Sequence, residues 1–257
     1  MRVFFVKRLT LVLITALLAL VTAVSLPVTQ TLQRVSPETR EYWKGSADIV
    51  WRINTKDKMI ALTFDDGPSP TFTPQILDIL KKNNVKGTFF VIAHEAEKYP
   101  DIVHRTVYEG HEIGNHTYNH KYLNRFTGDE LKKEMVLAET AIIKAAGVKP
   151  KLFRPPGGYF NENIVTVSKK LGYKVIIWSW EQQPVDWANP GEGAIIKRVL
   201  KNAASGNIVV FHDRGGNRSQ TVQALQPVID GLKEKGFKMV TVSEMLDNCE
   251  RVDISQN

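Results

Sequence analysis

Cysteine is almost missing from this chain. Of its 257 residues only Cys249 is one, which excludes an internal disulfide and leaves stability to a hydrophobic core; Cys249 itself reads as a structural residue near the end of the domain. No block of lysine and arginine is interleaved with aromatic residues. So although 34 basic residues outnumber 27 acidic ones and the net charge is +7, nucleic acid is not an expected partner. Internal repeats and low-complexity tracts are absent as well. Long uncharged runs are missing with one exception. Residues 9–28 follow Arg2, Lys7 and Arg8, and the next charge is Arg34. That run approaches the roughly 20 residues of a spanning helix and exceeds the ~7–15 of a signal-peptide core, while Ala23 and Ser25 offer a small-residue cleavage site. Residues 1–28 are therefore expected to form an N-terminal apolar helix, a membrane anchor or a signal peptide, that places the rest outside the cytoplasm.

What remains has the composition of an ordinary globular protein, 43% hydrophobic and 24% charged, and is long enough for one sizeable domain. Residues 29–57 read as a linker and lead-in containing one strand-like piece at 48–52. The domain is expected over 58–248, followed by a tail at 249–257. Strand-like runs at 59–64, 87–92, 112–115, 151–154, 174–178, 207–211 and 238–240 alternate with helical patterns at 73–83, 101–109, 128–146, 162–171, 192–203 and 219–235. This alternation predicts an α/β fold of parallel strands with right-handed crossovers, an incomplete (β/α) barrel of about seven strands. Reactive groups in such folds gather beyond the carboxyl ends of the strands.

Two segments carry the chemistry. MIALTFDDGPSP ends an apolar run in Asp65 and Asp66. Successive strand residues point to opposite faces, so a turn at Gly67 and Pro68 is needed to bring both carboxylates into one cavity. Carboxylates that close resist joint ionisation unless a cation lies beside them. GHEIGNHTYNH supplies His116 and His120, four apart and thus on one side of a helical turn. One carboxylate and two imidazoles suit zinc or a similar divalent ion. The same set serves non-haem iron oxygenases, but the second carboxylate and a distant histidine, His212, favour hydrolysis. Arg154, Asp186 and His212 also fall at or beyond expected strand ends. His94 and His104 read as helix-surface residues and His111 as structural.

TFDDGP, HTYNH, RPPGG, VDW and VVFHD, in this order over residues 56–246, resemble the five motifs of the NodB-homology polysaccharide deacetylases, carbohydrate esterase family four. The resemblance implies a distorted barrel, with Asp66, His116 and His120 holding a divalent metal, zinc first, with cobalt, nickel or manganese as alternatives. It also implies Asp65 as base, Arg154 holding Asp65, His212 as acid and Asp186 orienting His212. Pro156, Gly157, Tyr159, Trp187 and Val210 would line the groove, with the Gly157 N–H facing the oxyanion. The implied reaction removes N-acetyl groups from N-acetylglucosamine in cell-wall peptidoglycan. Chitooligosaccharide, N-acetylmuramic acid or O-acetylated xylan are alternative substrates, and a non-catalytic wall-binding relative is the alternative class. The partners implied are a glycan and, through the N-terminal helix, a membrane, with the protein a monomer. Gly157 stands where the family often has an aromatic residue, the segment before Asp186 is longer than usual, and Val210 replaces a commoner leucine.

Overall fold

Every residue of the run MIALTFD is buried, as befits a parallel strand covered on both faces. In the computed structural model, which describes residues 48–249, this run is β2 (Met59–Asp65). The other strands are β1 (Ile49–Val50), β3 (Thr88–Val91), β4 (Glu112–Asn115), β5 (Leu152–Phe153), β6 (Lys174–Ile176), β7 (Asn207–His212) and β8 (Lys238–Val240). Their order is β1-β6-β5-β4-β3-β2-β7, with β8 against the start of β2, and every ladder is parallel. Between the β1 and β7 edges lies an isolated antiparallel bridge, Arg52 to Asn207, rather than a ladder. The result is the expected α/β distorted barrel.

Helices α1 (Thr73–Asn83), α2 (Ala93–Lys98), α3 (Pro100–Tyr108), α4 (Gly128–Ala146), α5 (Glu162–Lys170), α6 (Glu192–Lys201), α7 (Ser219–Glu234) and α8 (Val242–Asp247) cover it. Helix α4 starts in a capping box between Thr127 and Glu130 and stops at Gly147, whose φ of 70° suits a left-handed cap. Among the described residues no helix is long and apolar enough to cross a membrane; the expected N-terminal helix lies outside them, as do most of the linker and the tail.

Strand alternation decides which residues face the site. Along β2, Ile60, Leu62 and Phe64 pack outward with Ile76, Leu77 and Leu225 of the helices. Met59 and Ala61 pack inward with Phe90, Ile208 and Val210. Period-two geometry therefore puts Thr63 and Asp65 on the inner face, and Ile208, Val210 and His212 beside them on β7. The register pairs Asp65 with His212 directly.

The strand-like piece expected at 48–52 forms a strand at its centre, where Ile49 and Val50 join the sheet against β6. Two expectations are corrected. Helices α2 and α8 were not expected, because six residues each are too few to show a helical period. Cys249 is free and exposed rather than part of the structure's interior.

Candidate metal centre and catalytic site

Asp65 ends β2 on the barrel's inner face and is 3% exposed. Arg154, fully buried at the end of β5, donates from Nη1 to Asp65 Oδ1 at 2.6 Å and to Thr63 Oγ1 at 2.8 Å. Its other guanidinium nitrogens donate to the carbonyls of Ile176 and Ile177 at 3.2 and 3.1 Å, and its plane lies 4.0 Å over Phe90. A cation so fully hydrogen-bonded is rigid, and it fixes one oxygen of Asp65 while leaving the other for chemistry.

Asp66 departs from strand alternation through its own backbone, with φ of 79°, a left-handed value that is uncommon outside glycine. Gly67 follows because nothing larger fits: a Cβ there would lie 2.1 Å from Asp213 Oδ2. Asp213 Oδ2 accepts a 2.5 Å bond from Thr73, and burial with the nearby Asp66 charge pushes its carboxyl up to about 7.

His116 and His120 do not share a helical turn. They stand on a loop in which Thr117 and His120 are left-handed, with φ of 69° and 55°. Side chains shape it instead. Asn115 Oδ1 accepts from Thr117 N–H, Thr117 Oγ1 from His120 N–H, and Glu134 from the N–H groups of Tyr118 and Asn119. The loop nevertheless delivers the result expected of a helix. His116 Nε2 and His120 Nε2 lie 3.4 and 3.1 Å from Asp66 Oδ1, and the trio's ligand atoms all fall within 4.8 Å of one another.

These donors fit a divalent ion. The Arg154 carbonyl, 2.7 Å from His116 Nδ1, accepts a hydrogen bond from that N–H and leaves Nε2 as the lone-pair donor aimed at Asp66. Burial alone would raise the Asp66 carboxyl, but the His116 and His120 imidazoles beside it and the positive side of His212 outweigh it and hold it well below the usual carboxylate range.

Across the cavity, Asp186 Oδ1 lies 2.8 Å from His212 Nδ1, and its Oδ2 accepts from His212 N–H and Thr221 Oγ1 at 2.8 and 2.9 Å. Asp186 sits in a short 3-10 turn, Asp186–Ala188, so the long preceding segment still delivers it. Burial pulls His212 down, but the Asp186 carboxylate prevails and raises it; Asp186 is lowered in return against its own burial.

Asp65, Asp66, His116, His120, Tyr122, Gly157, Trp178, Trp187 and His212 enclose a cavity of about 90 Å³. Of the expected groove residues it thus includes Gly157 and Trp187. It does not include Pro156, Tyr159 or Val210. Val210 lies two residues down β7 from His212, roughly 6.6 Å deeper, and is buried in the barrel core. Tyr159 stands edge-on against Tyr122, centroids 5.4 Å apart. Tyr122 and Trp178 were not anticipated. A Cβ on Gly157, whose φ is 66°, would come within 2.9 Å of Tyr122, so the ring fills the space that the glycine opens. That glycine was the available signal. Trp178 stood at the end of an expected strand, where position alone could have flagged it.

A barrel of parallel strands with a carboxylate–imidazole trio beside a clamped aspartate and an Asp–His pair is the layout of a hydrolase. The polysaccharide deacetylase family model matches residues 52–176. A peptidoglycan-N-acetylglucosamine deacetylase of Bacillus cereus is 46% identical over 198 residues, spanning 77% of this chain and 92% of that protein. A solved peptidoglycan N-acetylglucosamine deacetylase, in complex with 4-naphthalen-1-yl-N-oxidanyl-benzamide, is 37% identical with a TM-score of 0.77, over 81% of this chain and 98% of that one. A CE4-family pseudoenzyme from Bacillus anthracis is 30% identical with a TM-score of 0.74, over 81% and 72%. The chain belongs to the polysaccharide deacetylase family, carbohydrate esterase family four, and is an enzyme of that family. Since a pseudoenzyme shares the backbone, the chemistry must be argued from the side chains.

Proposed function

We propose that this enzyme removes N-acetyl groups from N-acetylglucosamine residues of cell-wall peptidoglycan, using a divalent metal, zinc first, held by Asp66, His116 and His120. The observation that carries the reading is the convergence of that trio, the Arg154-clamped Asp65 and the Asp186–His212 pair on one cavity. The choice of glycan is supported by the similarity to the Bacillus cereus deacetylase. When bound, the ion supplies a polarised, more acidic water and a positive charge near the acetamide. Asp65 takes the proton of the attacking water. Gly157 lines the cavity, and its N–H would face the carbonyl oxygen as it gains charge. His212, kept protonated by Asp186, donates to the departing amine nitrogen and acetate is released. Residues 9–28, which lie outside the described part of the structure, anchor the domain to the membrane or export it, so that it works outside the cytoplasm.

The test is mass spectrometry of defined glycans after incubation with the zinc-loaded protein. Muropeptides, chitooligosaccharides and acetylated xylan are offered in parallel. Loss of one acetyl group from N-acetylglucosamine in muropeptides is expected to be fastest, and preferential release from N-acetylmuramic acid or xylan would overturn the assignment. Tyr122 and Trp187, 60% and 38% exposed, form the aromatic rim that a sugar face would meet. Tyr122→Ala is expected to raise KM for oligomers about 3–10-fold with little change in kcat, the worth of about 0.5–1.5 kcal/mol of aromatic contact. Steady-state kinetics on oligomers of increasing length checks this.

A further inference from the structure

We propose that Glu95 is a positioning residue that ties together the two loops flanking the Asp66–His116–His120 trio; the proposal rests on the metal-binding reading above. Glu95 lies in the first turn of α2, which leaves the barrel at the carboxyl end of β3, and is 2% exposed. Its Oε1 meets three donors: His94 Nε2 at 2.6 Å, Arg214 Nη2 at 2.7 Å and Lys98 Nζ at 3.1 Å. A buried carboxylate is costly to desolvate; the three donors on Oε1 offset that cost, while Oε2 is buried with no hydrogen-bond partner among the described residues. Two of these partners lead directly to the metal centre, from opposite sides.

The His94 side leads to the imidazole loop. His94 Nδ1 lies 2.9 Å from the carbonyl of Tyr118, midway between His116 and His120. Both ring nitrogens of His94 thus face oxygen atoms, one on Glu95 and one on the Tyr118 carbonyl. The backbone reinforces the attachment, Ala93 N–H donating to Thr117 O at 3.0 Å and His94 N–H to Tyr118 O at 3.3 Å. His94 stands on a helix and is 32% exposed at its side chain, in line with the sequence, but both its ring nitrogens are engaged.

The Arg214 side leads to the carboxylate ligand. Arg214 follows His212 by two residues, and Arg218 folds back to donate to the carbonyls of Arg214 and Gly215 at 2.7 and 2.6 Å. Gly215 stands so close behind Asp66 that a Cβ on it would lie 3.2 Å from Asp66 Oδ2. Glu95 thereby joins the backing of Asp66 to the loop that aims both histidines.

The test uses the full chain, stripped of metal by a chelator and titrated with zinc against a chromophoric competitor. Glu95→Gln, Arg214→Ala and His94→Phe are each expected to raise the zinc Kd about tenfold or more, the usual scale for groups that orient metal ligands. Glu244→Gln, which breaks a pair with Lys238 at the far end of the barrel, is expected to leave it unchanged. Thermal melts of the metal-free variants separate the roles, because a purely structural residue lowers Tm without moving Kd at temperatures well below melting. Should Glu95→Gln fail to fold, Arg214→Lys against Arg214→Ala decides, with lysine restoring most of the affinity. Folded variants with a zinc Kd within about twofold of wild type would overturn this proposal alone. A wild-type chain that takes up no zinc would overturn the parent reading and this one with it.

Discussion

Asparagine in place of Asp65 is expected to lower kcat by about 10²–10⁴-fold, the usual worth of a positioned base, while zinc binding persists. The amide keeps the shape of the carboxylate and can still accept from Arg154, but it cannot take a proton from water. Asp66, His116 and His120 keep their places because none of them bonds to the Asp65 side chain in the contacts described above. A second consequence follows from burial. Asp65 and Arg154 form an ion pair at 2.6 Å with both side chains almost wholly enclosed, and removing one charge strands the other. Breaking such a pair typically costs about 3–5 kcal/mol. The low end applies here, since Thr63 and two carbonyls still receive the guanidinium. The variant should therefore melt earlier yet remain folded and zinc-loaded at assay temperature. Acetate release, zinc titration and a melting curve on the same preparation check all three. Undiminished turnover in folded, zinc-loaded Asp65→Asn protein would remove Asp65 from the chemistry.

How far this site was legible in the sequence depends on which physical rule carried each residue. Asp65 and His212 were legible because both end apolar runs, and alternation in parallel strands then places them on one inner face, in register. Arg154 was legible as the last residue before two prolines. The pairing of His116 with His120 was foreseen for the wrong reason. Spacing of four suggests a helical turn, but the turn here is made by left-handed Thr117 and His120 and by the side chains of Asn115 and Glu134. Nothing local distinguishes such a loop from a helix when the end-to-end reach is the same. Asp66 was credited to the turn at Gly67, whereas its own positive φ turns its side chain into the cavity. Tyr122 and the His94–Glu95–Arg214 cluster were illegible for a different reason. Their roles come from contacts between loops far apart in the chain, and no period or motif encodes those.

The pH dependence should turn on Asp186, and Asp186→Asn is expected to show it. His212 is enclosed, and burial alone would drop it below 6.5, but the Asp186 carboxylate raises it above that value. A general acid must be protonated before it donates, so wild-type kcat/KM should hold through neutrality and fall on the alkaline side, beyond the raised value. Without the carboxylate the burial penalty is opposed only by the weaker pull of the Asp66 and Asp65 charges. The alkaline limb should then move to lower pH, and kcat/KM at pH 7 should drop by about 10²-fold or more as both protonation and orientation of the ring are lost. Stability should follow the same linkage. The raised His212 contributes fully below its unfolded value of 6.5 and loses that contribution as pH rises through its folded value. The lowered Asp186 contributes fully above its unfolded value of 3.8 and loses it as pH falls through its folded value. Both terms are complete together only between 3.8 and 6.5, so the gap in Tm between wild type and variant should be widest there and narrow on either side. Rate profiles and melts across that range decide it: an alkaline limb that stays in place in Asp186→Asn would mean that His212 is not the proton donor.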